Sequence, residues 1–281
     1  MISVREVGFR TNTIKGEVII STRPLKLQLQ LLDKIRHEGT DIMSFKFARN
    51  DDQQQANYLN NKAGQYAVMD LGTKEDPEGP VRSFTIASSP TEEFIMISTR
   101  IRDTPFKKKL ANLQLGSLVK ITAPLGKFVL PDDDNSKSAV FLSGGIGVTP
   151  FRSMIKYATD KKSSIKIMMC DSNRDKKNIL YKTLFDECMT VNRNLKVIYT
   201  ITGNGHDRSS SYPDIVDDEW RQERGHINKA MLTKYMTNNE LENSVFYICG
   251  PPGMLRAMQR LLHDDIHIPK ERIRIEEFTG Y

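Results

Sequence analysis

The stretch SGGIGVTP occupies residues 143–150 and separates two segments of opposite character. The preceding run SAVFL is short and apolar, as in a buried strand, whereas the following FRSMIKYAT repeats its apolar residues at helical spacing. A glycine loop between a strand and a helix presents backbone N–H groups and the positive end of the helix dipole to a phosphate. The stretch therefore indicates an α/β unit with a phosphate-binding loop at the carboxyl edge of its sheet.

The glycines of this loop permit a tight turn. Gly144, Gly145 and Gly147 allow the backbone to approach a pyrophosphate closely, and Pro150 suits the first turn of the helix. No Lys-Ser/Thr pair follows, and a proline stands where the usual dinucleotide fingerprint has its third glycine. Taken alone, the loop also fits an ordinary structural turn.

The texture of the chain changes near residue 132. Six β-type runs precede it, separated by Gly, Pro and Asp, and they predict an antiparallel barrel: KLQLQLLDKI, DIMSFKFA, GQYAVMDL, RSFTIAS, FIMISTRI and SLVKITAP. One helix interrupts them, because TPFKKKLANLQLG has Thr104 as N-cap, Pro105 at the first helical position and Gly116 at its end. After the polar connector 131–138, strands alternate with helices, which predicts a parallel sheet covered by helices. The stretch 203–219 is predicted to be a surface loop.

Composition limits the admissible functions. A chain of 281 residues with 38% hydrophobic residues forms two domains of ordinary size, and its amino terminus lacks the apolar region of a secretory signal. No run of eighteen apolar residues predicts a membrane span, so we expect a cytoplasmic protein. Three well-separated cysteines suit neither a disulfide framework nor an all-cysteine iron-sulfur cluster. We also expect no metal site at the pair His263 and His267, because the glutamate of the protease motif is missing.

Positive charge is concentrated between residues 100 and 127. Seven basic residues there face a single acid, Asp103: Arg100, Arg102, Lys107, Lys108, Lys109, Lys120 and Lys127. Such a patch is either a solvated surface or a surface that steers an acidic partner and holds phosphates. Nucleic acid is not expected as a partner, because no recognition motif and no interleaved aromatic residues accompany the charges.

Two further segments carry chemistry in pattern. RSFTIASS places Arg82 and Phe84 on the same face of an alternating strand, where a phosphate and a flat ring would bind together. ICGPPGM ends a buried strand with Cys249 and a tight turn. Each segment also has a purely structural interpretation, namely an incidental surface arginine and a small core thiol.

The order of these motifs resembles the ferredoxin-NADP reductase superfamily. The resemblance covers residues 24–281 and implies an antiparallel FAD-binding β-barrel at 24–132, followed by a Rossmann-like NAD(P)-binding α/β domain at 138–281. Residues 1–23 remain an unassigned extension. The implied activity is transfer of hydride from nicotinamide to the flavin N5 atom.

The resemblance also implies roles for barrel residues. Arg82 would hold the FAD pyrophosphate, and Phe84 would stand where the family usually has a tyrosine that stacks on the flavin. Ser83 belongs to the same motif, and Thr85 would hydrogen-bond near N5. The helix that begins after Thr104 would face the flavin phosphates, which makes Thr104 and Lys107 candidates.

In the second domain the resemblance implies a nucleotide site and a nicotinamide site. Gly144, Gly145, Gly147 and Thr149 would line the pyrophosphate, and Cys249 and Gly250 would border the nicotinamide. Of the two carboxyl-terminal aromatic residues, Phe278 matches the family position that shields the flavin, and Tyr281 is the alternative. Thr85, Cys249 and Phe278 are thus the candidates at the reaction centre.

The nucleotide and the acceptor follow less directly. Ser172 and Arg174 after the second strand of the α/β domain favour NADPH, although NADH remains possible because Asp171 would suit a free ribose. The basic stretch favours an acidic electron carrier such as ferredoxin or flavodoxin. The alternatives are the reductase component of an oxygenase, a cytochrome or flavin reductase, and a non-catalytic flavin-bearing subunit of a larger redox complex.

Overall fold

The computed structural model describes residues 24–49, 59–131, 138–203 and 222–277. The predictions for Phe278, Tyr281 and most of the connector 131–138 lie outside these ranges. The same holds for nearly all of the loop predicted at 203–219.

Six antiparallel strands form the amino-terminal sheet, in the order β4-β3-β6-β1-β2-β5. They are β1 Leu25–Arg36, β2 Ile42–Ala48, β3 Tyr66–Asp70, β4 Val81–Thr85, β5 Phe94–Arg100 and β6 Leu118–Leu125. The two outer strands approach each other, since the backbone N–H of Ala87 donates to the carbonyl of Met96 at 2.7 Å. The sheet therefore curls into the predicted barrel.

Alternation explains why these segments are strands. In β1, Leu27, Leu29 and Leu31 are buried in the barrel core, whereas the residues between them are exposed. This period of two buries one face of the strand and leaves the other in water.

Helix α1, Pro105–Asn112, lies between β5 and β6 as predicted. Its N-cap Thr104 has extended backbone dihedrals, and its hydroxyl accepts the N–H of Lys107 at 3.2 Å. Pro105 begins the helix at a position that needs no N–H donor.

The carboxyl-terminal half is a parallel sheet in the order β10-β9-β8-β7-β11-β12. Its strands are β7 Ser138–Gly144, β8 Lys166–Asn173, β9 Leu195–Ile201, β10 Glu223–Arg224, β11 Val245–Gly250 and β12 Ile273–Glu277. The helices are α2 Thr149–Asp160, α3 Lys182–Val191, α4 Lys229–Tyr235, α5 Asn238–Asn243 and α6 Pro252–Arg260. Two hydrophobic clusters cover the two faces of the sheet, as the alternating pattern predicts. No described helix has the length and apolar character needed to cross a membrane.

Two short elements were not predicted. Strand β10 has only two residues, too few for a periodic signal. Helix α5 has six residues, and its start depends on a capping box between Thr237 and Glu240 rather than on an apolar stripe.

A buried polar contact joins the barrel to the α/β unit. Arg152 of α2 forms an ion pair with Glu92 and donates to the carbonyl of Ala87 at 2.9 Å. The next residue, Ser153, donates its hydroxyl to the carbonyl of Ser88 at 2.7 Å. These contacts hold the start of α2, and with it the glycine loop, against the barrel.

Candidate functional site

The glycine loop and the Cys-Gly-Pro-Pro turn meet at the carboxyl edge of the parallel sheet. Strands β7 and β11 are neighbours, so the loops that follow them lie side by side. A Cβ atom on Gly147 would overlap the Cys249 carbonyl and would lie 2.7 Å from the Cα of Gly250. A Cβ on Gly250 would lie 2.9 Å from the sulfur of Met254. The structure therefore brings the two predicted segments into one site that only glycine permits.

Gly145 has a different environment from its neighbours. Its φ of +54° is left-handed, and the described atom nearest to a Cβ placed there belongs to the guanidinium of Arg100. The loop then makes a short 3₁₀ turn, Gly145–Val148, and Thr149 begins α2. Thr149 is buried, and its hydroxyl donates to the carbonyl of Ile146 at 3.1 Å, so it shapes the loop from within. A loop of this shape before a helix fits a nucleotide diphosphate.

Cys249 lies in the middle of the sheet and not on its surface. The thiol is fully buried, and burial together with the nearby Glu276 carboxyl raises its pKa well above the usual range. A buried neutral thiol is a poor nucleophile, so Cys249 can border a ring without reacting with it.

Glu276 is a site residue that sequence reasoning missed. In the parallel pair of β11 and β12 it is the register partner of Cys249, and burial raises the pKa of its carboxyl to about 7. The only signal in the sequence was its place in the acidic carboxyl-terminal segment EEFTGY, from which we selected the aromatic residues. The structure thus adds a half-buried carboxyl group beside the cysteine.

The predicted ribose site lies at the end of β8. Ser172 is the register partner of Gly144, which places it beside the glycine loop, and Arg174 is exposed in the following turn. Asp171, by contrast, is completely buried, where it accepts hydrogen bonds from the Ser143 hydroxyl and from the Asn173 amide. Its carboxylate therefore does not face a ribose, and burial raises its pKa to about 7.

In the barrel, Arg82 is held by the loop that precedes β4. Its guanidinium pairs with Asp76 and with Glu78, and it donates to the carbonyls of Glu78, Gly79 and Val81 at 2.7–3.1 Å. The cation lies 5.2 Å from the ring centroid of Phe106. Arg82 and Phe84 face the same side of β4, as alternation predicts.

The start of α1 is already satisfied by protein groups. The N–H of Phe106 donates to Asp76 at 2.8 Å, the N–H of Lys107 to the Thr104 side chain, and the N–H of Lys108 to the Thr104 carbonyl at 2.9 Å. Pro105 has no N–H. The expectation that this helix end offers free donors to a flavin phosphate is therefore not met, because Asp76 occupies the anion position.

Lys107 lies inside the barrel and not on its surface. Among the described lysines it is the only one that is buried, and its ammonium donates to the Thr99 hydroxyl and lies 4.7 Å from the ring centroid of Phe84. Burial, with a smaller effect from Arg82, lowers its pKa to about 8. Thr85 is buried next to Phe84, whereas Ser83 is exposed. Two cations beside two aromatic rings fit a flat cofactor that carries phosphate.

The basic stretch 100–127 is not one continuous patch. Arg100 pairs with Asp41, an acid from the turn between β1 and β2 that the sequence placed far away. Lys107 is buried, and Lys108 pairs with Asp103. Three other lysines of the stretch are exposed: Lys109, Lys120 and Lys127. The surface charge is therefore smaller than the count of residues suggests.

The nucleotide loop, the following strand and the Cys-Gly-Pro-Pro turn match a known family model. The model is the oxidoreductase NAD-binding domain, and it matches residues 141–260. Residues 141–260 belong to this family. The predicted resemblance to ferredoxin-NADP reductases is confirmed, because the barrel followed by the parallel sheet is their fold.

Similar proteins cover most of the chain. A protein of the Na⁺-translocating NADH-quinone reductase of Idiomarina loihiensis is 29% identical over 232 residues, which are 76% of this chain and 52% of that protein. The cytochrome P450 reductase of Amycolatopsis superposes with a TM-score of 0.72 at 19% identity, covering 95% of this chain and 74% of that one. The flavohem-like FAD/NAD-binding domain of the Vibrio cholerae nitric oxide dioxygenase gives 0.70 at 17% identity, covering 92% of this chain and 100% of the domain. The chain spans about half the length of its relatives from the quinone reductase.

Proposed function

We propose that the protein is a FAD-dependent oxidoreductase that takes hydride from NAD(P)H and delivers electrons one at a time to a separate acceptor. The observation that carries the proposal is strand β5, which joins the two candidate sites. Thr99 accepts the ammonium of Lys107 in the barrel cluster, and the next residue, Arg100, lies against Gly145 of the glycine loop. Successive residues of a strand point to opposite faces, so one strand separates a flavin site from a nucleotide site by its own thickness.

The barrel cluster would hold the flavin. Phe84 supplies a ring surface for stacking, Arg82 and Lys107 supply positive charge for the pyrophosphate, and Thr85 is the candidate donor near the reactive edge. When bound, the flavin accepts a hydride and releases its electrons singly. The Asp76 carboxylate limits which donors are free, so we assign no phosphate contact to the N-terminus of α1.

The α/β unit would orient the nicotinamide nucleotide. The glycine loop would receive the diphosphate, and Cys249 and Gly250 would border the nicotinamide ring. Holding both rings in adjoining sites replaces a random encounter by an oriented contact and excludes water. No general base is needed for hydride transfer, which suits a site whose thiol is buried and neutral.

For the nucleotide we propose NADPH over NADH. Arg174 and Ser172 supply donors that a 2′-phosphate requires, and the buried Asp171 is not available to bind free ribose hydroxyls. This support is local to the end of β8.

For the acceptor we propose a small acidic carrier such as ferredoxin or flavodoxin. The exposed lysines Lys109, Lys120 and Lys127 support it, since complementary charge raises the encounter rate. A second candidate is the reductase component of a larger redox system. The names of the similar proteins favour it, because a quinone reductase component and a cytochrome P450 reductase are among them.

Anaerobic spectroscopy tests the core of the proposal. Purified protein reconstituted with FAD is mixed with NADPH and, in parallel, with NADH, and the absorbance of oxidised flavin is followed. Bleaching by either nucleotide supports the oxidoreductase, and the faster nucleotide identifies the preferred donor. Flavin that binds but stays oxidised with both nucleotides would contradict the enzyme and favour a flavin-bearing subunit without catalysis of its own.

A further inference from the structure

Arg100 reaches from the barrel to the glycine loop of the α/β unit. Its Nη2 atom lies 3.5 Å from the position that a Cβ atom on Gly145 would take. The guanidinium forms an ion pair with Asp41, and 23% of the arginine side chain is exposed. The group is thus anchored yet open to a ligand that sits on the loop.

We propose that Arg100 binds the diphosphate of the dinucleotide on the glycine loop, and that Asp41 competes with this diphosphate for the guanidinium. The inference rests on the proposed function, because it requires a dinucleotide at this loop. It adds that the barrel contributes a charged group to the nucleotide site, so that the site is complete only when both units are present.

The local balance of charge supports the role. Asp41 is shared, since Arg102 also approaches it, with Nη1 at 3.5 Å from Oδ2. Two guanidinium groups and one carboxylate leave a net positive charge beside Gly145. A planar guanidinium is suited to a diphosphate, with which it forms paired, charge-assisted hydrogen bonds.

Asp41 also explains how Arg100 is held ready without being blocked. If a diphosphate takes over the guanidinium of Arg100, Asp41 keeps Arg102 as a partner and is not left as an isolated charge. Both carboxylate and guanidinium are partly exposed, so the exchange does not strand a buried ion.

The other arginine at this junction is not available. Arg152 is buried, pairs with Glu92 through two nitrogens and donates to the carbonyl of Ala87. Turning it toward the loop would leave Glu92 buried without its partner, which is strongly unfavourable. Among the described residues, Arg100 is the guanidinium that the fold places at Gly145.

The test uses ADP-ribose, which carries the diphosphate but no nicotinamide, and AMP, which has a single phosphate. Both are titrated calorimetrically into the full-length oxidised protein. Arg100→Ala is expected to weaken ADP-ribose binding about tenfold or more, the usual size of a lost charge-assisted hydrogen bond, with a smaller effect on AMP. Arg102→Ala removes the same charge next to the same carboxylate and is expected to change affinity by less than about twofold.

Further variants separate the roles. Arg100→Lys keeps the charge without the fork and should fall between wild type and alanine, and its unfolding temperature checks that the protein folds. Asp41→Asn should strengthen ADP-ribose binding, roughly threefold, because it removes the competing carboxylate. Equal losses in Arg100→Ala and Arg102→Ala would overturn the contact, and weaker binding by Asp41→Asn would overturn the competition. Wild-type protein that binds no ADP-ribose would instead refute the proposed function itself.

Discussion

Gly147 packs directly against the backbone of Cys249, so closely that a side chain at position 147 has no space. The contact joins the loop after β7 to the turn after β11, and both neighbours are main-chain atoms that cannot move aside like a flexible side chain. The spacing of the two loops is therefore set by the absence of one Cβ atom.

Gly147→Ala is expected to destabilise the protein by roughly 1–3 kcal/mol, because the added methyl group forces the two loops apart. Thermal unfolding measures the effect. Gly253→Ala is the matched control, since a Cβ there meets no described atom within 4 Å and alanine suits the helix. Similar unfolding temperatures for the two variants would show that the loops adapt to a side chain at 147.

Asp171→Asn is expected to stabilise the protein at pH 8 more than at pH 5. Burial raises the pKa of this carboxyl to about 7 from its usual 3.8, so the unfolded state loses the proton near pH 4 and the folded state only near pH 7. Stability from this group therefore falls as the pH rises between these values, and the full cost is present above pH 7. Removing the charge should recover roughly 1–3 kcal/mol.

The asparagine has hydrogen-bond partners in place. The Ser143 hydroxyl still finds an acceptor, and the new amide can donate to Oδ1 of Asn173, which has no partner among the described residues. Urea unfolding at pH 5 and pH 8 measures the difference between the two proteins. A gain that is independent of pH would show that the carboxyl does not titrate in this range.

Glu276 is expected to make the binding of oxidised nucleotide depend on pH. With its pKa raised to about 7, the carboxyl is neutral at pH 6 and negative at pH 8, where it attracts the positively charged nicotinamide ring. NADP⁺ or NAD⁺ should therefore bind roughly threefold more tightly at pH 8 than at pH 6. Glu276→Gln should remove this dependence, and ADP-ribose, which lacks the nicotinamide, is the control ligand. A pH dependence that survives in Glu276→Gln would assign it to another group.

Arg174→Ala is expected to raise the KM for NADPH about tenfold and that for NADH less than twofold, since only NADPH loses a charge-assisted hydrogen bond. Steady-state kinetics with each nucleotide measure the two constants. Arg193→Ala is the control, because Arg193 is exposed at the opposite edge of the sheet, just before β9. Equal effects of Arg174→Ala on both nucleotides would remove the basis for the NADPH preference.

The double substitution Lys108→Glu with Lys109→Glu is expected to slow reduction of ferredoxin or flavodoxin at low salt and to leave hydride transfer to FAD unchanged. The reason is that charge reversal on an exposed surface weakens steering, and added salt should reduce the difference. Stopped-flow kinetics separate the two steps. The matched control reverses Lys161 and Lys162, which are exposed at the end of α2. A carrier rate that is the same in both double variants would place the docking surface elsewhere.

The sequence by itself determined the order and type of most elements. The period of two in Leu27, Leu29 and Leu31 indicated a half-buried strand, and the glycine loop marked the start of the α/β unit. Thr104 and Pro105 announced α1, because caps and first-turn residues act on their immediate neighbours. These signals are local, since each depends on backbone dihedrals or on the side-chain period within a few residues.

Only the tertiary structure decided which charged groups meet. Asp41 and Arg100 are 59 residues apart in the chain, and no periodic pattern links them. Asp76 occupies the start of α1, Lys107 turns into the barrel, and Glu276 lies beside Cys249 only because strand β12 adds to the sheet next to β11. The reason is physical: strand pairing and packing of the two units set the distances between such groups, and burial then fixes which charges must find partners.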